Sequence, residues 1–147
     1  MTAETIKDLF ASDIDRRIEE VIKVDQADEK IIRDELAEYV VTDSIRSHFG
    51  EVFDHYQTTW QKPNEGIAVW VSGFFGSGKS SFAKYLGLAL ANRDILGQGA
   101  GELLALRCGD PRIQVLLSNI SEQIPVSYTH LRAHETSLPI SYAVFCL

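Results

Sequence analysis

The sequence predicts an α/β chain: a helical N-terminal region followed by the first, incomplete part of a parallel-sheet domain. Three observations lead there. Residues 1–60 repeat their apolar positions at helical spacing. Ile67–Val71 is a continuous apolar run rich in β-branched residues, the pattern of a strand buried on both faces. A glycine-rich turn follows at Gly73–Gly78, and helical spacing resumes at Lys79. The 147 residues suffice for one core but are short for a complete sheet of this kind.

Residues 4–24 read as a helix, with Ile14, Ile18, Val21 and Ile22 on one face and Ser12 and Asp15 spaced as a capping box. Residues 27–41 read as a second, with Ile31, Ile32, Leu36, Tyr39 and Val40 on its apolar side. Residues 44–60 read as a third, capped by Thr42 or Asp43, with a stripe of Ile45, Phe49, Val52, Phe53, Tyr56 and Trp60. Residues 61–65 form a polar linker around Pro63. After the strand and turn, residues 79–91 read as a helix with Phe82, Tyr85, Leu86, Ala89 and Leu90 inward. Residues 92–102 read as a loop with three glycines, and Leu103–Leu106 as a short strand. Asp110 caps a last helix opened by Pro111, whose face is Ile113, Leu116, Leu117 and Ile120.

Charge divides the chain the same way. Residues 1–60 hold 15 acids and 7 bases, residues 61–125 hold 5 and 6, and residues 126–147 hold one of each. The net charge of −7 therefore belongs to the leader, and a whole-chain basic field for nucleic acid is excluded. No apolar run approaches membrane-spanning length, and residues 1–5 lack the features of a signal peptide. Two cysteines make neither a disulfide framework nor a metal set, and a reducing cytoplasm is the expected compartment.

The segment Gly73–Ser80 fits the P-loop pattern G-x-x-x-x-G-K-[ST] completely, between an apolar strand and an amphipathic helix. Gly73, Gly76 and Gly78 let the backbone curl around phosphate oxygens, and successive N–H groups form an anion nest. The helix N-terminus adds its unpaired donors. Lys79 would reach the β- and γ-phosphates, and the Ser80 hydroxyl would ligate Mg²⁺. Ser77 and Ser81 are helpers, one in the loop and one near the α-phosphate. Phe74 and Phe75 either brace the loop or face a base or a neighbouring domain. The expected ligand is ATP with Mg²⁺, because no guanine-reading G-T/N-K-x-D element occurs. No acid follows Leu103–Leu106 in the arrangement that hydrolysis needs, so a Walker B residue is not recognisable and no catalytic residue is assigned.

Other residues have blander readings. Trp70 and Cys108 read as core, and Arg107, Asp110 and Arg112 as a solvated turn. His48 and His55 share a helix face with Glu51 between them but have no third ligand. His130 and His134 do not fit the H-E-x-x-H pattern.

Residues 1–125 resemble the N-terminus of the large P-loop ATPase of bacteriophage-exclusion (BREX) defence systems, the BrxC/PglY type. The resemblance rests on IKDLFASDIDRRI at Ile6–Ile18 with VIKVD after it, EYVVT at Glu38–Thr42 leading to His48 and Phe49, and VWVSGFFGSGKS at Val69–Ser80. It implies an AAA-like ATPase whose nucleotide-binding residues are Gly73, Gly78, Lys79 and Ser80. It also implies antiviral work with other BREX defence proteins, contact with DNA that is indirect at most, and a homo-oligomeric parent. Family members are much longer, so this chain is read as a fragment without efficient hydrolysis. On that reading residues 66–125 are a partial nucleotide-binding domain. The tail, Val126–Leu147, closely resembles translated sequencing-adapter read-through, which would leave His130, His134 and Cys146 without an evolved role. The alternatives are a small P-loop kinase, for which Arg93, Arg107 and Arg112 are too few, and a non-enzymatic helical adaptor with a structural P-loop.

Overall fold

Asp28 starts the first regular helix. Its carboxylate accepts hydrogen bonds from the backbone N–H groups of Lys30 (2.9 Å) and Ile31 (3.3 Å), a side-chain cap on two otherwise orphaned donors. A computed structural model describes residues 5–10, 14–15, 23, 26–61, 68–123, 131–134 and 140–146. Helix α1 runs Glu29–Glu38 and buries Ile32 and Leu36. It is shorter than the periodicity predicts. Tyr39 is extended, and the next residues, Val40 to Thr42, are β-branched and poor helix formers. Of the expected helix over 4–24, Ile6–Leu9 is a 3₁₀ turn held by Asp8 accepting from Thr5. The proposed cap Ser12 and the positions Ile18, Val21 and Ile22 lie outside the described residues.

Thr42 opens α2 (Asp43–Gln61) as predicted. Its hydroxyl accepts from the Ile45 N–H at 3.3 Å and its carbonyl from the Arg46 N–H at 2.9 Å. Phe49 and Phe53 are fully buried, and Phe49 stacks on Phe82 at a centroid distance of 4.3 Å. Strand β1 is Ala68–Phe74, and α3 is Lys79–Leu90.

Two short strands, β2 (Asp94–Ile95) and β3 (Gln98–Gly99), make a hairpin within the expected loop. Leu96 and Gly97 turn it with φ of +53° and +83°, the signs a two-residue type I′ turn requires. Leucine rarely adopts such a φ. The turn is tied down by Glu29 accepting the Leu96 N–H (3.1 Å) and Asp94 accepting the Gly97 N–H (3.0 Å).

The next element corrects an expectation. Leu103–Leu106 is not a strand; it lies inside α4 (Ala100–Cys108). Leucine and alanine are strong helix formers, and the buried positions Ala100, Leu104 and Cys108 recur every four residues. Gly109 ends α4 at φ +62°, and Asp110 caps α5 (Pro111–Gln123) by accepting from the Arg112 N–H at 2.8 Å. The predicted face of α5, from Ile113 to Ile120, is buried.

The sheet carries the larger correction. β1 is not part of a parallel sheet. It pairs antiparallel with β5 (Ile140–Cys146), from Ala68 opposite Cys146 to Phe74 opposite Ile140, and β4 (Leu131–His134) pairs antiparallel with β5. The order β1-β5-β4 leaves β1 at an edge among the described residues. The physical reason is the supply of strands: with Leu103–Leu106 in a helix, the run at Ile140–Cys146 is the one long enough to match β1. Nor is β1 covered on both faces. Val69 and Val71 pack on the helical core, whereas Trp70, predicted as core, is 62% exposed on the opposite face. The buried core of the described residues comes from the helices and the β2–β3 hairpin, from Ile32 to Ile120. Among the described residues, no helix is long and apolar enough to cross a membrane.

Candidate functional site

The predicted loop joins the end of β1 to the start of α3. Phe74 closes the strand, Phe75 and Gly76 turn, and Lys79 begins the helix, with the Ser77 N–H donating to the Phe74 carbonyl at 3.2 Å. Two glycines meet a backbone need: Gly76 has φ of +75° and Gly78 of +83°, in the left-handed region. Gly73 meets a steric one, since a Cβ there would lie 2.9 Å from the Ser77 hydroxyl. The three glycines singled out in the sequence thus serve two different constraints.

Lys79 is folded back over this turn. Its ammonium donates to the Phe74 carbonyl at 2.5 Å and to Ser77 Oγ at 3.4 Å, and the residue is buried. Ser80 and Ser81 follow in the first turn of α3, both half-buried, and the Phe82 N–H makes the first intrahelical bond, to Gly78 O, at 2.9 Å. The N–H groups that begin a helix have no intrahelical acceptor, so this end of α3 presents backbone donors of the kind that favour negative charge. The predicted residues Gly73, Gly76, Ser77, Gly78, Lys79, Ser80 and Ser81 therefore lie together. Phe74 and Phe75 belong to the same turn but do not brace it: they are 78% and 82% exposed. This loop fits a polyphosphate: a glycine cradle, one ammonium that a phosphate oxygen could draw off a carbonyl, and the Ser80 hydroxyl at the helix start.

Beside the loop, residues of α2, β1 and α3 line an open cavity of about 370 Å³ that reaches Ser77, Gly78 and Lys79. Ile45, Val52 and Phe82 give it apolar lining, and away from the loop Tyr39, His48, Glu51 and Ser72 are its polar residues. His48 lies 3.4 Å from Ser44 Oγ through Nε2 and 3.8 Å from Glu51 through Nδ1. The sequence carries no mark that His48 and Glu51 line the same cavity as Lys79, some thirty residues away. Among the described residues, no three histidines, cysteines or acids gather as a metal site. His130 lies outside the described residues.

Most other charged candidates have structural partners. Arg107 donates to Tyr39 O (2.6 Å), Arg93 to the carbonyls of Gln26 and Ala27, and Arg46 to Cys108 O (2.8 Å). Arg112 faces Asp54 at 3.4 Å. Cys108 is buried as expected. Burial raises its thiol pKa to about 11, with Arg46 lowering it and Asp110 raising it.

No protein-family model matches the chain, and no solved structure gives a significant match.

Proposed function

We propose that this chain binds Mg-ATP through the loop Gly73–Ser81, as the N-terminal part of a large cytoplasmic anti-phage ATPase of the bacteriophage-exclusion type. The observation that supports it best is the loop's construction: two glycines at positive φ, a third whose Cβ would press on the Ser77 hydroxyl, and Lys79 at the first position of a helix. The backbone N–H groups and Lys79 hold the phosphates, and Ser80 holds Mg²⁺, which supplies charge neutralisation to the β- and γ-phosphates. The resemblance of residues 1–125 supplies the AAA-like parent, its defence partners and its homo-oligomeric assembly.

Hydrolysis by this chain alone is expected to be negligible. Among the described residues, the acids after the loop are engaged elsewhere or sit on helices: Asp94 holds the hairpin turn, Asp110 caps α5, and Glu102 lies in the first turn of α4. Calorimetric titration of the 147-residue chain with Mg-ATP tests the proposal. The expected result is saturable binding that Lys79→Ala removes; no binding to the unmodified chain would overturn it.

A further inference from the structure

We infer that the cavity between α2 and the loop receives the nucleoside end of the ligand, with His48 and Glu51 as its polar contacts. The inference rests on the P-loop reading above and extends it to a part of the chain that the motif does not contain.

The cavity adjoins the loop, since Ser77, Gly78 and Lys79 are among its lining residues. A nucleotide held by its phosphates at the loop has its ribose and base within a few bonds of those residues. A cavity of about 370 Å³ falls in the range of small-molecule sites, which combine apolar walls with polar groups that fix the ligand's orientation. Ile45, Val52 and Phe82 offer apolar surface to a base. Glu51 offers a carboxylate acceptor for ribose hydroxyls or an exocyclic amine. His48 offers one donor and one acceptor in its neutral form. Both side chains are well exposed, at 62% and 65%, so they can turn toward a ligand without unpacking the core.

The placement also gives the acidic leader a role. α2 belongs to residues 1–60, which carry the negative charge, and would supply ligand contacts to a loop in the following segment. Their mutual position is fixed by the stacked pair Phe49 and Phe82, one residue from His48 and three from Lys79.

The test compares Mg-ATP with Mg-tripolyphosphate, which carries the phosphates and no nucleoside. Three versions of the full chain are titrated: unmodified, Lys79→Ala, and the double variant His48→Ala, Glu51→Ala. Circular dichroism checks that each is folded. The expected result is ATP binding weakened at least about tenfold in the double variant, the size of losing a charge-assisted hydrogen bond. Tripolyphosphate affinity should stay within about twofold, and Lys79→Ala should lose both ligands. Unchanged ATP affinity in the double variant would overturn this inference and leave the P-loop reading standing. Failure of the unmodified chain to bind either ligand would overturn both.

Discussion

Lys84, in the helix that follows the glycine-rich loop, is fully buried and forms an ion pair with Glu35 of α1. The two residues are 49 positions apart, one in the acidic leader and the other in the nearly neutral segment that follows. The pair ties the acidic leader to the helix that presents Lys79. A buried pair adds little net stability over a well-packed apolar pair, but removing one partner strands the other charge.

Glu35→Ala is therefore expected to destabilise the fold by about 3 kcal/mol. The double variant Glu35→Leu, Lys84→Met should recover most of the loss. Urea denaturation followed by far-UV circular dichroism measures both. Equal losses in the single and double variants would show that the pair is not coupled.

The loop glycines should separate by mechanism. Gly78→Ala meets no atom within 4 Å but must hold φ of +83°, at a cost of about 1 kcal/mol. Gly73→Ala has an ordinary φ but drives its Cβ onto Ser77 Oγ at 2.9 Å, so its cost depends on how far Ser77 gives way. Combining Gly73→Ala with Ser77→Ala should relieve the clash, whereas Ser77→Ala should not rescue Gly78→Ala. Thermal melts of the four variants test this.

Cys108 gives the chain an alkaline limit. Its thiol is pushed up to about 11 from an ordinary value of 9.0, mainly by burial. Burial likewise raises the Tyr39 hydroxyl to about 12 from 10.0, with Cys108 contributing. Both groups fold neutral, so the native state keeps its protons where the unfolded chain has lost them. Stability from the thiol is complete below pH 9 and is lost as pH rises from 9 through 11, with Tyr39 following. Denaturation midpoints across pH 8–11 should decline in that window, and Cys108→Ala should flatten the first part of the decline. At pH 8, modification of Cys108 by a thiol reagent should be slow until denaturant is added.

The tail should be dispensable for the helical core. The buried apolar cluster from Ile32 to Ile120 is assembled by the helices and the β2–β3 hairpin. A chain ending at Pro125 is expected to keep its helical signal and cooperative unfolding while losing the β1–β5 pairing. Complete loss of cooperative unfolding would show instead that β5 is needed to hold β1 against the helices.

Local patterns settled much of this protein. The stripe through Phe49 and Phe53, the Thr42 and Asp110 caps, the buried face of α5 and the turn from Gly73 to Lys79 all depend on neighbours within a few residues. Such features are legible because helical period, capping and glycine torsions are local physics. What β1 pairs with was not legible. A strand's partner and direction depend on which other strand is available, and α4 removed one candidate while β5 supplied another. The same holds for Trp70: its apolar run matches a strand buried on both faces, but burial of the second face needs a layer that the described residues do not place there. The ties from Arg46, Arg93 and Arg107 to distant carbonyls, and the cavity that His48 and Glu51 line together with the loop, were decided by tertiary packing alone. They join segments whose sequences carry no mark of one another.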